Sequence, residues 1–203
     1  MRAAEALDLL AEVGWEQVEA REHDHVTVAL EAFASTPGLT LYGPTSAGER
    51  IGLVSFNLHT ESGALIHPKL VARLLNDLFG IQARAGCSCA GPYGHQLLGL
   101  DVVLTARYRD AIAQGFAGLR PGWGRLSFHW TMSETERDYL IDAVRFLSRN
   151  AERFLLAYRF EPATGHWQSI DCDGQSRLKS ATGGAALMAQ MAGEAEKIAR
   201  DLD

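Results

Sequence analysis

The stretch Arg84-Ala85-Gly86-Cys87-Ser88-Cys89-Ala90-Gly91-Pro92-Tyr93-Gly94-His95 gathers two thiols, a guanidinium and an imidazole on a glycine-rich backbone. Ile81 to Ala83 reads as a short apolar strand that delivers the chain to Arg84. Gly86, Gly91, Pro92 and Gly94 then argue against any regular element, which predicts a surface turn carrying both thiols. A thiol near a guanidinium ionises more easily than one in a core, and the thiolate is the nucleophile. Cysteine is equally at home as a small buried apolar residue, so chemistry alone leaves the reactive and the inert reading open.

Upstream, Leu7, Leu10 and Val13, then Val18, Val26, Ala29, Leu30 and Phe33, recur at helical spacing on either side of Gly14. Leu39 to Tyr42 and Ile51 to Leu58 read as neighbouring strands joined by a turn over Gly43 to Gly48. Pro68 suits a helix start, Val71, Leu74, Leu75 and Leu78 share a face, and Gly80 fits a left-handed cap. Downstream, Asp101 caps a predicted helix from Val102 to about Gln114 with Leu104, Tyr108 and Ile112 on one stripe. Arg125 to Trp130 alternates apolar and polar residues as a half-buried strand does, with Arg125 on its polar side. Ser133 and Glu136 form an S-x-x-E capping box for a helix to about Arg153 that buries Leu140, Val144 and Leu147.

Strands alternating with capped amphipathic helices predict an α+β domain: a small sheet covered by helices mainly on one side. We divide the chain into a helical lead-in over 1–35, the sheet-bearing domain over 36–153, and a terminal part over 154–203. That last part reads as a hairpin from Phe154 to Phe160 and His166 to Ile170, a polar linker from Asp171 to Gly184, and a helix whose Leu187, Met191, Ile198 and Leu202 dock on this domain or a partner.

With 203 residues, 47% of them hydrophobic, the chain can fill a core. A formal charge of -6 without any basic run argues against nucleic acid. No apolar run reaches the length of a membrane span, and Glu5 stands where a signal peptide would turn apolar, so the expected location is the cytoplasm. Cys87, Cys89 and Cys172 make a poor disulfide framework, consistent with a reducing compartment.

Three motifs in register resemble the class V aminotransferases, fold-type I pyridoxal-phosphate enzymes that include the cysteine desulfurases and selenocysteine lyases. Ile51 to Asn57 is similar to the first strand of that family's small C-terminal domain. Arg84 to Ala90 resembles its R-x-G-x-x-C-A loop, and Gly124 to Phe128 its R-x-S strand. The resemblance covers about Val18 to Arg149. It implies the fold of that C-terminal domain, with Cys89 as the sulfur-accepting nucleophile, Arg84 at the head of the loop and Arg125 gripping the carboxylate of an amino-acid substrate. A guanidinium suits that last task because it forks onto a carboxylate through two parallel hydrogen bonds. Cys87 and the long run from Cys89 to Arg125 depart from the desulfurase pattern.

The resemblance also implies pyridoxal phosphate, yet the lysines here are Lys69, Lys179 and Lys197, none placed for a Schiff base. The lysine-bearing large domain or subunit is therefore an expected partner, and the face it would cover is expected to drive self-association. Two other readings stand: a non-catalytic binding or scaffold module of the same fold, and a thiol or metal site built on Cys87, Cys89 and His95, one ligand short of a closed tetrahedron. His23 and His25 read as solvated or capping residues, His59, His67 and His129 as residues able to line a cleft, and Trp123 and Trp130 as core or interface aromatics.

Overall fold

Pro68–Phe79 is the helix (α3) against which the sheet is built. Its proline occupies the first turn, where no backbone donor is needed, and Gly80 closes it at φ 65° with its N–H on Asn76 O and Leu75 O. Seven of its residues are buried, including Leu70, Leu74 and Leu75 at 1% exposure or less. The computed structural model describes residues 2–86, 91–170 and 184–202.

Before α3 come α1 (Arg2–Val13) and α2 (Trp15–Ala34), broken at Gly14, whose φ of 87° a side chain would strain. The strands are β1 (Leu39–Tyr42), β2 (Leu53–Leu58), β3 (Arg84–Gly86) and β4 (Trp123–Ser127), in the antiparallel order β1-β2-β4-β3. Val54, Phe56, Leu58, Leu126 and Phe128 form one core cluster with Phe33 of α2, Leu74 of α3 and Val144 and Leu147 of α6 (Glu134–Asn150). The sheet is thus covered by helices on its apolar face, as expected. The capping box of α6 is complete: Ser133 Oγ accepts from Glu136 N at 3.2 Å, and Glu136 Oε2 accepts from Ser133 N at 2.8 Å.

Several boundaries differ from the sequence reading. Ile81 to Ala83 is not a strand, because Ile81 N still donates to Leu75 O in the exit from α3; pairing begins at Arg84, opposite Arg125. The arginine strand starts earlier, at Trp123, which pairs with Gly86, and ends at Ser127, which pairs with Leu53. Gly91–Leu97 folds as a short helix, α4, where only a turn is predicted. Helix α5 (Val102–Ala113) is capped by Asp101, whose side chain accepts from Leu104 N at 2.7 Å, yet none of its residues is fully buried. His25 is 5% exposed rather than solvated, with Nε2 3.1 Å from Met132 O. In α6 the buried set is Ile141, Ala143, Val144, Phe146 and Leu147, with Leu140 only half-buried.

Beyond α6, Arg153–Ala157 is a 3-10 turn rather than the start of a strand, and the hairpin is β5 (Tyr158–Glu161) with β6 (His166–Ser169). Helix α7 (Gly184–Asp201) packs on α3 and α6, burying Met191, Ala195 and Ala199. Its docking surface is on this domain. Most of the predicted linker, 171–183, lies outside the described residues.

Candidate functional site

The sheet face away from the core carries the polar side chains. Antiparallel register sets Tyr42 opposite Ser55, Ser55 opposite Arg125, and Arg125 opposite Arg84, so one row of four side chains crosses all four strands on the same face. Arg125 and Arg84 are direct cross-strand neighbours. Like charges so placed repel, and among the described residues neither guanidinium has a carboxylate within ion-pair distance. Arg125 is half-buried and Arg84 exposed.

The next row holds Asn57 and Trp123. Asn57 is 2% exposed and its Nδ2 donates to Gly122 O and to the Tyr42 hydroxyl, both at 3.1 Å. Burial raises the Tyr42 phenol above its ordinary range, and the Asn57 hydrogen bond only partly offsets this, so Tyr42 stays protonated at neutral pH. Trp123, 7% exposed, lies against Tyr42 with ring centroids 6.0 Å apart, which makes it the core-type aromatic the sequence suggests.

The site residues anticipated from sequence are therefore placed unevenly. Arg84 and Arg125 come together; Cys87 and Cys89 lie outside the described residues, in the segment that leaves β3 after Gly86. Cys172 lies outside them too. No cluster of three or more metal-ligating side chains occurs among the described residues. Tyr42, Ser55 and Asn57 were missed as members of this face. The signal for Tyr42 and Ser55 was the strand alternation of β1 and β2, once the register to β4 is known.

Past 90, the excursion between the thiol loop and β4 forms a separate cavity of about 410 Å³ between α4, α5 and Trp123. The excursion is anchored at Gly118, whose N–H donates to Pro162 O at 2.8 Å and whose carbonyl lies 3.0 Å from His67 Nε2. His67, the N-cap of α3, is thus a structural anchor and not a cleft residue.

The family profile "Aminotransferase class-V" matches residues 1–140, which span the four-stranded sheet and both of its arginines. The chain belongs to that family. It is 34% identical over 131 residues to a probable cysteine desulfurase of Halalkalibacterium halodurans, covering 60% of this chain and 29% of that protein. It is 39% identical over 87 residues to a cysteine desulfurase of Pectobacterium carotovorum, covering 43% of this chain and 19% of the relative. Among solved structures, the apo cysteine desulfurase from Thermococcus onnurineus NA1 aligns with a TM-score of 0.52 and 26% identity, over 70% of this chain and 28% of that one. The chain spans less than a third of the length of these proteins.

The family is generally pyridoxal-phosphate dependent. The described residues do not themselves make a seat for that cofactor. Lys69 Nζ donates to Thr164 O at 3.1 Å, away from the arginine row, and Lys197 is exposed on α7, which packs on the helices of the opposite face. Lys179 lies outside the described residues. Among the described residues, no helix is long and apolar enough to cross a membrane.

Proposed function

We propose that this chain is the small C-terminal domain of a pyridoxal-phosphate-dependent, cysteine desulfurase-like enzyme, in which Arg125, assisted by Arg84, grips the substrate α-carboxylate and Cys89 accepts sulfur. The observation that carries the reading is the cross-strand pair Arg84 and Arg125, two guanidiniums held side by side without an acid among the described residues. An unneutralised pair of this kind costs stability until an anion bridges it, and a carboxylate matches the planar fork of a guanidinium. The thiol loop continues directly from β3, so Cys89 lies five residues from Arg84 along the chain.

The cofactor and its lysine would come from a large domain or subunit. That partner is supported by the apolar surface of the excursion, where Val102, Val103 and Phe116 are 86%, 62% and 42% exposed. Without it, we expect the purified chain to self-associate. A non-catalytic module of the same fold is the second reading, and it is favoured by the poor fit of the described lysines to the cofactor.

The deciding experiment combines the purified chain with a separately expressed lysine-bearing domain from a desulfurase relative, supplies pyridoxal phosphate and cysteine, and follows sulfide release. The chain alone is expected to be inactive and to lose all cofactor absorbance on gel filtration. The pair is expected to release sulfide, with Cys89→Ala abolishing release and Arg125→Gln raising KM for cysteine. One-to-one cofactor retention by the chain alone, or activity untouched by Cys89→Ala, would overturn the proposal.

A further inference from the structure

We propose that the cavity between α4, α5 and Trp123 is a binding site for a small organic anion with an apolar body, its charge held by Arg109 and Arg120. The volume of about 410 Å³ lies within the roughly 300–1,000 Å³ usual for small-molecule sites. Leu98, Leu100, Ile112 and Pro121 supply apolar wall, and the buried indole of Trp123 supplies a flat aromatic surface. Three cationic or basic side chains, His95, Arg109 and Arg120, also line it, and among the described residues no Asp or Glu does.

That composition runs against the molecule. The chain carries a formal charge of -6, so a cavity with two guanidiniums and no carboxylate among its described lining residues is a local inversion of sign. Among the described residues neither Arg109 nor Arg120 has an ion-pair partner. A guanidinium is satisfied by a planar oxyanion through two donors, so a carboxylate is the ligand end these residues select. The opposite end must be apolar, because only the hydroxyls of Thr105 and Tyr108 offer further neutral polar contacts in the wall.

Helix α5 supports the same conclusion independently. Its twelve residues include none that is fully buried, although Tyr108 and Ile112 face the cavity. Among the described residues none buries that face fully, and an apolar ligand body would remove it from water.

This inference goes beyond the desulfurase-like reading, because it uses neither Cys89, Arg84 nor Arg125. The test titrates the full chain with 3-phenylpropionate, 3-phenylpropionamide and acetate by isothermal calorimetry at low salt. Phenylpropionate is expected to bind at least about tenfold tighter than its amide, the factor a charge-assisted hydrogen bond contributes. Acetate is expected to show no measurable binding.

The double variant Arg109→Gln/Arg120→Gln is expected to lose about tenfold or more of that affinity, with its urea midpoint unchanged. Ile112→Ser, which wets the wall without altering charge, is expected to weaken binding by a smaller factor. Equal binding of acid and amide, no binding of either, or retained affinity in the double variant each overturns the proposal. So does loss of phenylpropionate binding in Arg125→Gln, which would place the anion on the sheet face instead. Because that variant also reports on amino-acid binding at the arginine row, the two readings fail separately.

Discussion

Helices α3 and α5 are both twelve residues long and both start on a side chain that accepts a backbone N–H, His67 for one and Asp101 for the other. Seven residues of α3 are buried and none of α5 is. Equal local signals therefore produce elements with opposite roles. Helix α3 is held by the apolar sheet face, whereas α5 has its cap and a half-buried stripe, and its remaining apolar surface is available to ligand or partner. A cap fixes where a helix starts; tertiary burial decides how much of the fold depends on it.

The contrast is sharpest in side-chain truncation. Leu74 is 0% exposed in the centre of the core, so Leu74→Ala is expected to cost about 2–5 kcal/mol of unfolding free energy, the range for a buried leucine that leaves a cavity. Ile112→Ala on α5 is expected to cost under about 1 kcal/mol, since half-exposed positions give small changes. Urea unfolding of both variants checks this. Comparable losses would mean that α5 belongs to the same cooperative core as α3.

The tip of the excursion offers the next test. A Cβ at Gly118 would stand 2.6 Å from both Gly165 Cα and Pro162 O, backbone atoms of the hairpin that cannot swing aside. Gly118→Ala is therefore expected to destabilise by about 1–3 kcal/mol, as overpacking does, and to loosen the excursion before the core. Hydrogen exchange should then accelerate in 102–119 and leave α3 protected. Uniform acceleration would join the two regions that the burial pattern separates.

Losing a cap is a smaller perturbation. Asp101→Ala leaves Leu104 N without its partner and is expected to cost about 1 kcal/mol. Because α5 lacks burial to compensate, the loss should appear as fraying of its first turn in hydrogen exchange, with little change in the global urea midpoint. A full global loss would again count α5 as core.

Much of this contrast was legible in the residues. The stripe Val71, Leu74, Leu75 and Leu78, with Pro68 before and Gly80 after, fixed α3 to its ends, and the capping box fixed the start of α6. The stripe Leu104, Tyr108 and Ile112 read the same way, because periodicity reports that a face is apolar and not what covers it. Short strands were the weak point. Ile81 to Ala83 is apolar enough for a strand but is spent on leaving α3, while Arg84 to Gly86 pairs by virtue of its position opposite β4, which composition does not encode. Arg125 was legible as a polar-face residue, yet its pairing with Arg84, and the neighbours Tyr42, Ser55 and Asn57, emerge only from register. Buried His25 was misread for the opposite reason: a histidine on a helix looks solvated until a distant carbonyl, here Met132 O, is brought to it.

The smallest expected effect joins the two helices. His67 Nδ1 accepts from Lys69 N at 3.2 Å, so the ring proton is on Nε2 and is donated to Gly118 O at 3.0 Å; one neutral imidazole caps α3 and holds the end of the excursion. The ring packs against both Phe160 and Trp167, with centroids 5.0 and 5.8 Å away. Burial lowers its pKa from the ordinary 6.5; the Gly118 carbonyl opposes that shift and the Lys69 ammonium adds to it. The folded state therefore binds this proton less readily than the unfolded chain, and stability rises with pH wherever the unfolded chain holds more protons. Above pH 6.5 both states are neutral at this site and the contribution is complete; as pH falls from 6.5 through the lowered folded value, it is lost. Protonation also places a second N–H against Lys69 N–H, which removes the cap. Urea unfolding from pH 8 to pH 5, compared with His67→Asn, which can cap but cannot titrate, isolates the effect. The stability advantage of the native chain over the variant is expected to shrink below pH 6.5, and hydrogen exchange at Gly118 to rise in step. Parallel stability curves for the two proteins would show that His67 keeps its proton count on unfolding, and that the excursion is tied to α3 by something other than this imidazole.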